Sequence, residues 1–303
     1  MNFSETKFKG CDYCKSTKYK TIYSVKTKKS LDEKEYYPTS QKKNALNVVE
    51  CSKCGLVYVY PLPDRQKVLE QYRRYIDNNY LLDITSRRIK FRQIAKKLLD
   101  LKKGGKILEV GCAAGLFLDE LKTVGYEPEG IEPNVFLASW GRKNLHAKII
   151  TADVESYNFK NKRYDVVIFW DSLEHLFSPG KVLKNISGVL KPKGILVINY
   201  PDIESTLSKI FREYWWFIIS SHFYYFSKKT ISKYLQKYGF KTIEDKSSMQ
   251  YLNLAYLFHQ LGRYNIRLAD FLYHVTKILN GDKITTPYFA GQRTVIAILQ
   301  NTS

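Results

Sequence analysis

The stretch KILEVGCAAG, residues 106–115, decides the fold. Lys106 to Val110 reads as a short strand, Gly111 to Gly115 as a tight turn of small residues, and a helical pattern begins near Leu116. A strand whose carboxyl end enters such a turn and then a helix N-terminus marks the place where open α/β sheets bind ligands. The turn is not the G-x-G-x-x-G dinucleotide fingerprint, and no Gly-Lys-Ser/Thr follows it, so a dinucleotide and a phosphate-loop ligand are both disfavoured. Glu132 ends the next strand, 21 residues beyond Gly111, where a carboxylate can accept hydrogen bonds from both hydroxyls of a ribose. The expected ligand is therefore a nucleoside without phosphates.

Outward from this stretch, β-rich runs alternate with helix-length segments. EPEGIE (127–132), AKIIT (147–151), YDVVIFW (164–170) and GILVINY (194–200) leave room for crossover helices at 115–125, 134–144 and 180–190. Another strand is expected from Phe240, and TVIAILQ (294–300) reads as the last one. The pattern predicts an α/β protein with a doubly wound, Rossmann-like, mostly parallel seven-stranded sheet. Residues 64–103 have helical spacing, 228–238 read as a helix, and 250–280 read as one or two amphipathic helices inserted before the last strand. The boundary at Pro61-Leu62-Pro63 separates a small lobe, 1–63, from a main domain, 64–303, with cap elements at about 203–226 and 250–285.

The small lobe carries Cys11-x2-Cys14 and Cys51-x2-Cys54, two matched pairs as a closed tetrahedral zinc site requires. Four protein thiolates leave no position for substrate or water, so the expected zinc is structural. Gly55 follows the second pair, where a metal knuckle often needs a positive φ. The fifth cysteine, Cys112, reads as a small buried side chain.

The ordered set ILEVGCAAG, GIEP, TADVES, DVVIFWDSLEHL and LKPKGILVINYP resembles the motifs of the class I S-adenosylmethionine-dependent methyltransferases over roughly residues 85–240. That resemblance implies S-adenosylmethionine as cofactor, with Glu109, Gly111 and Gly115 shaping the pocket for its methionine end. By the same likeness Glu132 would hold the ribose, Asp153 would approach the adenine amino group, and Cys112 and Asp171 would complete the cofactor-binding set. Ala113 stands where many relatives have a second glycine, and its methyl group fits if its φ stays negative.

Methyl transfer from a sulfonium depends chiefly on alignment of the acceptor, and a base is needed only where the acceptor must lose a proton. Two histidines follow strand ends on the ligand side, His175 and His222. HFYYFS (222–227) is similar to a segment of zinc-bearing nucleotide-deoxysugar C-methyltransferases, which implies His222 as base, although Ser221 replaces their acidic neighbour and the chain is too short for their C-terminal domain. The aromatic residues from Tyr214 to Tyr225 are expected to wall the acceptor side.

The 303 residues carry 49 Lys and Arg against 29 Asp and Glu, a formal charge of +20. The leading reading is methylation, at O or C, of a small polar acceptor, a sugar, nucleotide-linked sugar or glycan precursor. The alternative is an RNA-modifying enzyme gripping phosphates through the basic front, including Lys26, Lys28, Lys29, Lys42 and Lys43. A third reading is a non-catalytic zinc-ribbon binding module, against which the full set of ligand-site motifs stands. No apolar run is long enough to cross a membrane, and the N-terminus lacks a signal-peptide core, so a cytoplasmic location is expected.

Overall fold

The structure, a computed structural model, describes residues 10–24, 46–253 and 285–300, with a few helical positions between 271 and 278. The first lobe contributes β1 (Tyr19–Tyr23), β2 (Val48–Cys51) and β3 (Val57–Val59). Two helices, α1 (Arg65–Arg74) and α2 (Ile84–Leu101), lead to β4 (Lys106–Val110), α3 (Leu116–Thr123), β5 (Glu127–Ile131), α4 (Val135–Leu145), β6 (Ile149–Ile150) and β7 (Tyr164–Trp170). Next come α5 (Pro179–Val189), β8 (Leu190–Pro201), α6 (Thr206–Phe211), β9 (Tyr224–Tyr225), α7 (Lys228–Lys237), β10 (Phe240–Asn253) and β11 (Thr285–Leu299).

The seven-stranded sheet has the order β10-β11-β8-β7-β4-β5-β6. Its strands β4 to β8 run parallel, and β11 is antiparallel to both β8 and β10. Alternation in β4 assigns the two faces: Leu108 and Val110 join one hydrophobic core, while Ile107 joins the other. The second core is roofed by α2 and α3, where Phe91 stacks on Phe117 at 4.7 Å and Trp170 stands edge-on to both. The first core continues without a break into the small lobe, joining Leu108 and Val167 to Cys11, Val48 and Leu56.

Residues 250–253, expected as the start of a helix, belong instead to β10, with Tyr251 paired to Pro287 of β11. Pro287 lacks an amide hydrogen and Gly291 takes a φ of +85°, features that conceal the first half of β11 in the sequence but are tolerated in an extended hairpin at the sheet margin. The remainder of the expected insertion, 254–270, lies outside the described residues, as do Lys26, Lys28, Lys29, Lys42 and Lys43; the described positions between 271 and 278 are helical. Among the described residues no helix is long and apolar enough to cross a membrane.

Candidate active site

The carboxyl ends of β4, β5 and β7 open on a cavity of about 750 Å³. Of the expected site residues it brings together Glu109, Gly111, Cys112, Glu132, Asp153, Asp171, His175 and His222. Gly115 stands behind the turn as the N-cap of α3 with φ +72°, and supports the wall without lining it. Gly111 also has φ +72°, and a Cβ there would come within 2.7 Å of Ser172 Cβ. Ala113 departs from expectation: its φ is +47°, so an L-residue occupies the left-handed region, at a cost of roughly 1 kcal/mol. Its amide hydrogen supplies a reason, since Ala113 N donates to Glu132 Oε2 at 2.8 Å.

Glu132 is buried, and its other oxygen accepts from Asn134 N at 2.8 Å while the Tyr72 hydroxyl also bonds the carboxyl group. Burial pushes its pKa up to about 7 in spite of these donors. Glu109 lies alongside, its Oε2 without a hydrogen-bond partner among the described residues, and burial together with the Glu132 charge drives its pKa well above the ordinary value. Two carboxyl groups on one wall, one with an orphaned oxygen, suit a ligand carrying hydroxyl and ammonium donors. S-adenosylmethionine carries both.

Asp153 lines the same cavity, but its carboxylate is engaged: Oδ1 accepts from Glu155 N at 3.0 Å, and Oδ2 takes Ser156 Oγ and the Arg65 guanidinium of α1. Asp171, with φ +51°, accepts at Oδ1 from Asn199 Nδ2 at 2.6 Å and Gln292 Nε2 at 2.7 Å. Burial raises its pKa to about 6 against those bonds. Arg65, Tyr72, Asn199 and Gln292 escaped sequence reasoning because each meets its partner across a long separation; only the placement of Asn199 at a strand's carboxyl end could have pointed to it.

At the other end of the cavity Glu174, His175 and His222 converge. His175 Nδ1 donates to the Ser221 carbonyl at 2.8 Å, and the rings of His175 and His222 meet edge to face at 4.6 Å. Burial lowers the pKa of His175 to about 4 and that of His222 well below its usual value, so both imidazoles are neutral. Trp216, Phe217 and Phe223 line this end.

The four cysteines of the lobe stand apart from the cavity and cluster, with Cys11 Sγ to Cys54 Sγ and Cys14 Sγ to Cys51 Sγ both at 3.5 Å. Sulfurs around a tetrahedral zinc sit about 3.8 Å apart when each bond is about 2.3 Å, so the donor set fits that ion. The knuckle is tied into the main domain: Asp12 Oδ2 accepts from Gly180 N and from the Tyr234 hydroxyl, both at 2.9 Å, and Lys233 Nζ donates to the Cys54 carbonyl at 2.7 Å. On the other side β3 pairs with β9, and Val59 N donates to the Phe223 carbonyl at 2.9 Å, next to His222.

Comparison with known proteins agrees with this geometry. Residues 81–245 match the family described as Methyltransferase domain. A ubiquinone biosynthesis O-methyltransferase of Bradyrhizobium diazoefficiens is 30% identical over 101 residues, 32% of this chain and 40% of that protein. One of the same name from Coxiella burnetii is 25% identical over 126 residues, 40% of this chain and 51% of that one. The chain thus matches about half or less of the length of these relatives. The magnesium protoporphyrin IX methyltransferase of Synechocystis PCC 6803, solved with bound SAH, superposes with a TM-score of 0.52 at 12% identity, covering 78% of this chain and 100% of that one, a likeness of fold. With more than half of its length matched by the family and the sheet, turn and carboxylate wall in place, this chain belongs to the class I S-adenosylmethionine-dependent methyltransferases.

Proposed function

We propose that the protein transfers the methyl group of S-adenosylmethionine to a hydroxyl oxygen of a small ring-bearing acceptor seated at the Glu174–His175–His222 end of the cavity. The observation that carries this reading is the single cavity with two chemically different ends, carboxylates suited to ribose and ammonium at one and an aromatic wall with neutral imidazoles at the other. The cofactor supplies an activated methyl group, so the chain's task is to bind, align and exclude water. Glu132 and Glu109 hold the donor, while Trp216, Phe217 and Phe223 present flat faces on which a ring can stack. Oxygen is favoured over carbon as the methylated atom by the O-methyltransferase names of the relatives. The cysteine cluster holds a structural zinc, which fixes the lobe and, through the β3–β9 pairing, the segment that carries His222.

The test is transfer of isotope-labelled methyl from S-adenosylmethionine into host extract separated into small-molecule and RNA pools. Label in the small-molecule pool, released as an O-methyl product, is expected. Label confined to RNA would overturn the acceptor reading.

A further inference from the structure

Glu174, His175 and His222 face one another at the acceptor end, and three of their buried polar atoms have no hydrogen-bond partner among the described residues. Glu174 is 1% exposed, and neither carboxyl oxygen has a hydrogen-bond partner among the described residues. His222 is 4% exposed, with Nδ1 likewise unpartnered. His175 Nδ1 donates to the Ser221 carbonyl at 2.8 Å. A carbonyl only accepts, so the neutral His175 imidazole has spent its single N–H on Ser221 and its other nitrogen carries a bare lone pair. Donor atoms of all three residues lie within 4.8 Å of one another.

A proton on Glu174 would serve the bare nitrogen of one imidazole and leave the second carboxyl oxygen buried and unmet, a cost of about 1–3 kcal/mol. A cation meets all three. An imidazole fixed by an N–H bond to a backbone carbonyl, as His175 is, is also the arrangement that orients histidine ligands on metals. We propose that Glu174, His175 and His222 bind a divalent first-row transition-metal ion on the acceptor wall of the cavity. Two imidazole nitrogens and one carboxylate favour zinc, iron(II), cobalt or nickel over calcium and magnesium, which want oxygen ligands. Ligand bonds of about 2.0–2.2 Å hold tetrahedral donors about 3.4 Å apart, so side chains now within 4.8 Å of one another close by up to about 1.4 Å on binding the ion.

Three protein ligands leave coordination positions open to the cavity. Resting on the methyl-transfer reading above, the ion would take the acceptor hydroxyl there and lower its pKa, so that its proton passes to solvent water. The oxygen lone pair then forms the bond to the methyl carbon as the carbon–sulfur bond breaks, its electron pair staying on a neutral thioether. His175 and His222 act in this scheme as ligands and not as bases.

Cobalt(II) separates this site from the cysteine cluster, because thiolate ligation gives an intense near-ultraviolet charge-transfer band and nitrogen–oxygen ligation gives only weak visible bands. The full chain, with its lobe zinc retained, is titrated with cobalt(II) while its binding of S-adenosylmethionine is followed on the same samples. One cobalt per chain without a thiolate band is expected, weakened on the order of a hundredfold in Glu174→Gln and in His222→Gln, and unchanged in His146→Asn. Failure of the wild type to bind, or binding undiminished in both ligand variants while S-adenosylmethionine still binds, overturns the site. Cobalt binding as expected without methyl transfer to any small molecule would uphold the site and sink the reaction.

Discussion

Glu132 binds two things at once: it clamps the β4 turn through Ala113 N and presents what is left of its carboxylate to the cavity. Its charged form is the better acceptor, and burial has brought its pKa to about 7. On the proposed seating of the ribose at Glu132, affinity for S-adenosylmethionine should therefore fall as pH drops from 8 to 6, because protonation removes the charge that the ribose hydroxyls would bond. Glu132→Gln should bind about tenfold or more weakly and lose that pH dependence, which calorimetric titration across the range would show. At this scale the sequence was informative wherever a residue sits at a strand end. Glu132, Gly111 and Asp171 all occupy such positions, and position along a strand can be counted. It was uninformative where a contact is made by fold alone: nothing near Asp153 announces that Arg65 will cover its carboxylate, and nothing near Ala113 announces a positive φ, because the reason for each lies in a partner on another element.

Between elements, two attachments carry testable weight. Arg88 and Arg92 of α2 converge on Glu120 of α3 at 2.7 and 2.9 Å. Burial works to raise the Glu120 pKa, but the hydrogen bonds from Arg92 and Arg88 outweigh it and hold it below 4.5. A depressed acid stabilises the fold above its unfolded value and loses that contribution as pH falls through the folded one. Glu120→Gln should thus destabilise by about 1–2 kcal/mol at pH 7, with part of the ion pair screened by solvent, and the gap to wild type should close below pH 4 in urea titrations. The second attachment is the pairing of β3 with β9. Cys54→Ser should lower the zinc content and the midpoint of thermal unfolding, and hydrogen exchange should quicken at Phe223 to Phe226. The cysteine spacing made the cluster readable, whereas its anchorage did not show, because Asp12 finds Tyr234 and Gly180 only in three dimensions.

Across the whole molecule, two cores back the same sheet, and the core on the lobe side runs from Cys11 to Phe240 without interruption. One calorimetric transition is expected for the lobe and the sheet together, and a resolved earlier transition for the lobe would contradict it. Leu108→Ala, at a fully buried position in the central β4, should cost about 2–5 kcal/mol and shift that single transition as a unit. The doubly wound order was readable because parallel strands with crossover helices admit few arrangements. Of β10 and β11 only the stretches from Phe240 and from Thr294 were readable, since Pro287 and Gly291 look like loop and the helical spacing begun at Tyr251 is overridden by pairing. The β3–β9 pairing has one more consequence, in time. Val57 meets Tyr225, which leaves the ribosome about 170 residues later, roughly 10 to 30 s at ordinary rates of synthesis. Through that interval the newborn cysteine lobe has no seat on α7 or β9, so oxidative stress would damage its thiols during the protein's making more than after its completion.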